Sequence, residues 1–340
     1  MVPMQSFYRY MKYILPLLSV LLCFELGAQD AIPQIFIKMK WKDSLNTPIN
    51  LGFYEFDEDF DLDIKTPIKK LSIQDSASFS SFYKPYLNQI KPEKPELIFY
   101  VHGYSADSKF YQKFTNSRFQ KHVFSKQESP YGLIVNLVWN KDKMYTTEQN
   151  RSRQKGVLFA EYILPLLEDY QKRYPELIPS IICHSMGNRI LEGLLEELDK
   201  KKEGPHFKTI VMACPDLESD ALYRSKNFKK LDSLAEEVIL YVHNNDRVLT
   251  VATQSNKIDR LGHKGPAEWD SLSANLTVVD ASLLADNKDI GSKLTNHRYF
   301  YTSPTGREDL MRSLYITKEE KFGKRALLDR PFRYVIEPTK

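Results

Sequence analysis

Apolar positions along this chain fall into two patterns. From residue 96 onward, short and nearly uncharged runs rich in Ile, Val, Leu and Tyr occupy 97–101, 133–139, 178–183, 209–213, 238–242 and 276–279. Runs of that length and composition predict strands buried on both faces of a parallel sheet. Segments of helical period lie between them. In 156–170, Leu158, Tyr162, Leu166 and Tyr170 share one face, and 187–198 is a second helix candidate. Strands alternating with helices predict an α/β fold: a mostly parallel twisted sheet with helices on both faces. Crossovers of one hand then gather the C-terminal strand ends on one edge, where ligands bind in such sheets.

The chain before residue 96 differs. It carries two strand-like segments, 34–41 and 49–56, and predicts a β-rich N-terminal extension over 29–95 packed on the core domain of 96–340. The acidic loop 57–63 places Asp at alternate positions, but an EF-hand loop needs Gly at its sixth position and Glu at its twelfth. Neither is in register, so a solvated turn is expected.

One junction carries chemistry. The apolar run ending Ile181-Ile182-Cys183-His184 meets Ser185, and the helical segment beginning at Gly187 follows at once. A strand, a sharp turn at Ser and a helix make up a nucleophile elbow. Crowding there demands small residues two before and two after the Ser. Gly187 meets the second demand, and Cys183 stands where a Gly is more usual. A Ser that only caps the helix is the alternative reading. The first core strand ends Val101-His102-Gly103-Tyr104. A Gly there lets backbone approach a substrate oxygen, so the N–H groups of Tyr104 and Met186 are the candidate oxyanion donors.

A serine nucleophile also needs a base and an orienting acid, in the chain order Ser, acid, His. The run 238–242 leads through the turn signal Asn244-Asn245 to Asp246. Asp216, after the preceding strand, competes and would otherwise be a cap or turn residue. Asp246 is favoured because the acid in this arrangement usually follows the later strand. Only His263 and His297 come after it. His297 follows the last predicted strand and is preferred, with His263 read as a surface or loop residue. His102 and His184 flank the site and are expected to make supporting hydrogen bonds, as Gly103 and Asp216 would.

Composition narrows the partners. A chain of 340 residues, 42% hydrophobic and 27% charged, is globular and needs no metal or disulfide staple. The net charge of +4 is dispersed, and its densest basic run, Lys200-Lys201-Lys202, reads as a solvated helix end. Nucleic acid is therefore not expected as a partner. Cys183 and Cys214 lack further ligands at zinc spacing and read as buried free thiols. No metal and no cofactor is called for, and oligomeric state is not encoded in any pattern we recognise. Arg9 and Lys12 precede the uncharged run 13–24 and the small residues Gly27-Ala28. Residues 1–28 thus predict a signal peptide and a periplasmic or secreted destination, with an uncleaved membrane anchor as the alternative. The run falls short of the roughly 20 residues a bilayer span takes, so no transmembrane domain is expected after cleavage.

Residues 96–301 resemble the α/β-hydrolase superfamily, and more narrowly the bacterial α/β hydrolases grouped as domain-of-unknown-function family nine hundred. The resemblance rests on Val101-His102-Gly103-Tyr104, Trp139, His184-Ser185-Met186-Gly187-Asn188, Ala213-Cys214-Pro215-Asp216, the stretch 241–246 and Asn296-His297-Arg298-Tyr299-Phe300. It implies a Ser185–Asp246–His297 triad and says little about substrate. Only about twenty residues separate Asp216 from the next strand, a helix-length connection. No lid domain fits there. An open site is expected, bounded by short loops and by the N-terminal region. That combination points to a serine hydrolase of acyl esters or thioesters working through an acyl-enzyme. A peptidase, an acyltransferase or a non-catalytic binding protein on the same fold are the rivals.

Overall fold

A computed structural model describes residues 34–41, 48–55, 69–71, 76–104, 123–124, 129–139, 144–200, 206–287, 290–315, 325–327 and 333–337. The predicted signal peptide, the acidic loop 57–63, Lys201 and Lys202 lie outside them. Ile32–Lys340 form one compact unit. Its strands are β1 (Gln34–Trp41), β2 (Pro48–Glu55), β3 (Lys69–Leu71), β4 (Glu96–Val101), β5 (Tyr131–Trp139), β6 (Ser180–His184), β7 (Phe207–Ala213), β8 (Ala235–Val242), β9 (Leu276–Asp280), β10 (Arg325–Leu327) and β11 (Arg333–Ile336).

All of these join one sheet in the order β10-β11-β9-β8-β7-β6-β4-β5-β1-β2-β3. Every pairing from β11 across to β1 is parallel, and antiparallel β10 and β2–β3 close the two edges. Strands β4, β6 and β9 are buried at every residue, which is why their sequences are continuous apolar runs rather than alternating ones. Two strands lie beyond the expected last one, because the short β10 and β11 carry Arg325 and Arg333 in place of an apolar run. The N-terminal strands extend the same sheet, with β1 parallel to β5 from Gln34↔Ile134 to Met39↔Trp139.

Helices cover both faces. Against one face pack α1 (Ser76–Gln89), α2 (Tyr145–Arg173) and α3 (Gly187–Asp199), through Phe79, Phe159, Leu166, Ile190 and Leu194. The other face holds Leu249 of α6 (Arg247–Asn256), Tyr299 and Phe300 of α9 (Tyr299–Thr302), and Leu310 and Leu314 of α10 (Pro304–Tyr315). Each such side chain contributes about 1.5–3 kcal/mol when fully buried. Short elements fill the rest: α4 (Ala221–Arg224), α5 (Leu231–Leu234), α7 (Leu261–Lys264) and α8 (Ile290–Thr295). Between β7 and β8 stand only α4, one 3₁₀ turn and α5, so no lid domain is inserted there. No helix among the described residues is long and apolar enough to cross a membrane.

Helix α2 begins eleven residues before the expected 156–170 segment, at Tyr145. Its first turns are polar in sequence yet bury Glu148, Gln149, Ser152 and Lys155, and Lys155 Nζ meets Glu148 Oε2 at 2.6 Å with both side chains almost fully enclosed. The pair neutralises itself, and no hydrophobic period reveals it. Helices α2 and α3 then cross at glycine: a Cβ on Gly156 would lie 2.0 Å from the Ile190 carbonyl oxygen, and one on Gly193 1.9 Å from that of Arg153. Alanine in a helix interior normally gains about 0.5–1 kcal/mol over glycine. Here the methyl has no room, so Gly193→Ala is expected to lose about 1–3 kcal/mol instead. A urea midpoint below wild type checks this, and a higher midpoint would disprove the close crossing.

Candidate active site

Strand β6 ends at His184, and the backbone turns at Ser185 into the left-handed region, φ +53°. Few non-glycine residues adopt this conformation, and it costs on the order of 1–3 kcal/mol. The neighbourhood holds it in place. Ser185 N–H donates to the Ala213 carbonyl at 2.9 Å, and the Ser185 carbonyl accepts from Asn188 N at 3.1 Å and Asp216 N at 3.2 Å. The Asn188 side-chain amide donates to the same carbonyl at 2.9 Å and to that of Cys183 at 3.0 Å. Two glycines make the turn possible. A Cβ on Gly187 would sit 2.8 Å from the carbonyl oxygens of both Val101 and His102, and one on Gly103 2.9 Å from Ser185 Cβ. Tyr104 and Met186, whose N–H groups were singled out from sequence, follow Gly103 and Ser185 directly. Met186 is the residue before the first turn of α3, so its N–H lies at the positive end of that helix.

Asp246 caps α6: Leu249 N–H donates to its Oδ1 at 3.0 Å. Its Oδ2 accepts from His297 Nδ1 at 2.6 Å, and the Asp246 carboxylate is fully buried. A hydrogen on Nδ1 leaves Nε2 of a neutral His297 as an acceptor. Asn296, just before it, is left-handed at φ +51°, which Asn tolerates. Two donors then grip the His297 backbone carbonyl: His184 Nε2 at 3.1 Å and Cys214 Sγ at 3.3 Å. His184, Cys214 and His297 offer metal-ligand atoms within 4.8 Å of one another. Within this cluster two donor hydrogens meet one carbonyl, and His297 Nδ1 is tied to Asp246. Cys183 and Cys214 are free thiols, as expected, and burial pushes both well up.

Asp216 stands apart. Tyr145 Oη donates to its Oδ2 at 2.6 Å, Arg260 Nε lies 3.4 Å from its Oδ1, and Arg189 Nε donates to its backbone carbonyl at 3.1 Å. Burial raises its carboxyl against the pull of Arg189 and Arg260. His102 is fixed as one tautomer: its Nδ1 donates to the Gly103 carbonyl at 2.7 Å, and its Nε2 accepts from Trp139 N–H at 3.1 Å. Its ring also stacks on Trp139. His263 is not the surface residue expected. It is buried in α7 with Nε2 donating to the Asn244 carbonyl at 2.8 Å, because α7 folds back under the Asp246 turn and His243 N donates to the Gly262 carbonyl.

Ser185, His297, Gly103, Tyr104, His184 and Asp216 line one cavity of about 670 Å³. The N-terminal region expected to bound it contributes no lining residue among those described, since β1–β3 lie at the far edge of the sheet. Its remaining wall comes from α6 and α8, with Tyr100, Tyr145, Arg298 and Tyr301 completing it. The roles of Asn188 in the elbow and of Tyr145 and α6 in the wall escaped sequence reading. Only Asn188 had a signal there, its place three residues after Ser185.

A parallel sheet with a left-handed serine between strand and helix, and a histidine–carboxylate pair at the same strand edge, defines an α/β hydrolase fold. The chain belongs to the family described as alpha/beta hydrolase of unknown function (DUF900), whose model matches residues 83–313. No curated protein matches it. Among solved structures it is similar to a "putative cell surface hydrolase" from Lactobacillus plantarum WCFS1, at 12% identity and a TM-score of 0.34, over 56% of this chain and 82% of that one.

Burial, and then the coulombic influence of His297 and Arg298, hold His184 well below the usual imidazole range. An unfolded His takes up a proton near pH 6.5, and the folded one refuses it. Below about pH 6.5 the unfolded chain thus binds more protons and stability falls with pH. His243 shifts the same way through burial and adds to the slope. The unfolding midpoint of His184→Gln, which keeps a donor for the carbonyl, should fall less steeply than wild type from neutral pH to about pH 5. Parallel profiles would show that His184 ionises freely in the fold.

Proposed function

We propose that this protein is a serine hydrolase that cleaves acyl esters or thioesters through an acyl-enzyme on Ser185. The observation that carries this reading is the 2.6 Å hydrogen bond from His297 to the buried Asp246, with His297 lining the same cavity as the left-handed Ser185. Ser185 Oγ attacks the substrate carbonyl while His297 Nε2 takes its proton. Asp246 keeps the Nδ1–H tautomer and offsets the imidazolium charge as it forms. The negative charge on the carbonyl oxygen is met by the N–H groups of Tyr104 and Met186. The intermediate collapses as His297 returns the proton to the departing oxygen or sulfur. Water then repeats the sequence on the acyl-enzyme and frees the acid and Ser185.

Ser185→Ala should abolish both fluorophosphonate labelling and ester turnover, read by gel fluorescence and a panel of esters, thioesters and peptides. Labelling that survives the substitution rejects the nucleophile. The two carboxylates should separate cleanly. Asp246→Asn is expected to lose about 10⁴-fold in kcat with little change in unfolding midpoint. Asp216→Asn weakens the contacts with Tyr145 and Arg260, while Glu218 still pairs with Arg260, and is expected to cost about 1–3 kcal/mol of stability, with kcat far less affected. The reverse pattern would reassign the acid.

We also propose export to the periplasm or beyond, with residues 1–28 removed after Ala28. The positive residues Arg9 and Lys12, the short apolar run and Gly27-Ala28 support it. Mass spectrometry of the mature protein should find Gln29 at its N-terminus, and retention of Met1 would overturn the proposal.

A further inference from the structure

The cavity around Ser185 has two unlike walls. Tyr104, Tyr145 and Asp216 form a polar one. The other is apolar: α6 supplies Val248, Val251 and Ala252, and the adjoining α8 supplies Leu294. Val248 is 40% exposed, Val251 60% and Leu294 59%, whereas most large apolar side chains of the unit are buried. Among the described residues seven large apolar side chains stand exposed, and three of them meet on this wall. Scattered exposed apolar residues need no explanation, but a cluster facing one cavity marks a surface that binding covers.

The wall also names its occupant. It is continuous with the space above Ser185 and His297, so whatever lies on it is joined to the group that reacts at Ser185. Between Val248 and Leu294 its side chains are mostly aliphatic carbon, interrupted by Ser255 and Thr295, and the cations that line the cavity, Arg247 at the start of α6 and Arg298 beside His297, stand at its ends. A cavity of about 670 Å³ also falls in the range of roughly 300–1,000 Å³ for sites that enclose whole small molecules, far more than an acetyl group fills.

Resting on the reading of Ser185 as nucleophile, we infer that the substrate carries a flexible aliphatic chain on one side of the scissile ester, and that this chain lies in the cleft between α6 and α8. Val251 and Leu294 set the preference for its length. Each methylene that enters the cleft leaves water and adds about fourfold to kcat/KM, until the wall is covered.

Two ester series test this in the full mature chain, both kept below micelle formation and followed by proton release. Methyl esters from acetyl to decanoyl vary the acyl side, and acetates from methyl to decyl vary the alcohol side. A rise of about fourfold per methylene in one series supports the inference and identifies which side of the bond occupies the cleft. In the double variant Val251→Ser, Leu294→Ser, the octyl-to-short-chain ratio of kcat/KM in that series should fall roughly tenfold or more. A flat profile in both series, with Ser185 still labelled by fluorophosphonate, overturns the inference and leaves the serine-hydrolase reading intact. A flat profile together with loss of phosphatidylcholine vesicle binding in Val251→Asp also overturns it, and makes the wall a membrane contact. Neither turnover nor labelling of Ser185 would overturn both readings.

Discussion

The backbone at Ser185 is the constraint around which this edge of the sheet is built. A serine at φ +53° does not persist unless its surroundings over-determine it. They do so from three directions. Strand β7 receives its N–H through Ala213, Asn188 and Asp216 satisfy its carbonyl, and the glycines at 103 and 187 remove every side-chain atom that would push it back. A conformation that is costly alone becomes the lowest available one, because relaxing it would strand several buried polar groups at once. The same geometry draws the end of β4 against the turn, so Tyr104 and Met186 come to stand beside the serine as a consequence of packing.

His297 is held differently, by its backbone as much as by its ring. The ring is tied to Asp246 through Nδ1, while its carbonyl receives His184 and Cys214. A carbonyl has two lone pairs, and both are used here. The loop is thereby anchored to the two strands that flank the elbow, β6 through His184 and the end of β7 through Cys214. Neither the histidine nor the thiol needs to touch a ligand to matter. Burial keeps His184 neutral and Cys214 protonated, so the imidazole donates as the Nε2–H tautomer and the thiol through its S–H. The left-handed Asn296 gives the loop the tight reversal that this double anchorage requires.

Much of this was legible in the residues because parallel strands must be apolar throughout. The runs 97–101, 133–139, 209–213 and 238–242 each fall within a strand, and the Ser185 turn follows from a strand meeting a helix without a linker. What escaped has a common physical cause: burial satisfied by pairing rather than by hydrophobicity. The start of α2 carries Glu148 and Lys155, charged in sequence and neutralised only in space. Strands β10 and β11 are short, and Arg325 is buried against Asp309. His263 is buried because a carbonyl from another loop accepts its hydrogen. Helix α1 carries Pro85 in its interior and has a weak apolar period. Long-range partners leave no trace in local periodicity, so a reading built on periodicity underestimates the ends of elements and the polar core.

The same distinction separates the two aspartates at neighbouring strand ends, which sequence order alone ranked but did not resolve. Both are buried, so neither is chosen by depth. The Asp216 carboxylate takes the Tyr145 hydroxyl on one oxygen and has the Arg260 guanidinium 3.4 Å from the other, while Arg189 holds its backbone carbonyl and pairs with Glu218. A carboxylate so engaged has little left to give an imidazole. Asp246 has a backbone N–H on one oxygen and the His297 ring on the other, with no Lys or Arg in contact with its carboxylate among the described residues. A single partner on Oδ2 means that any charge appearing on that ring is felt by Asp246 at full strength in a site of low polarity. The arginines beside Asp216 therefore do double duty. Arg189, on α3, holds the β7 loop against that helix, and Arg260 with Tyr145 keeps the second buried carboxylate from competing for the histidine.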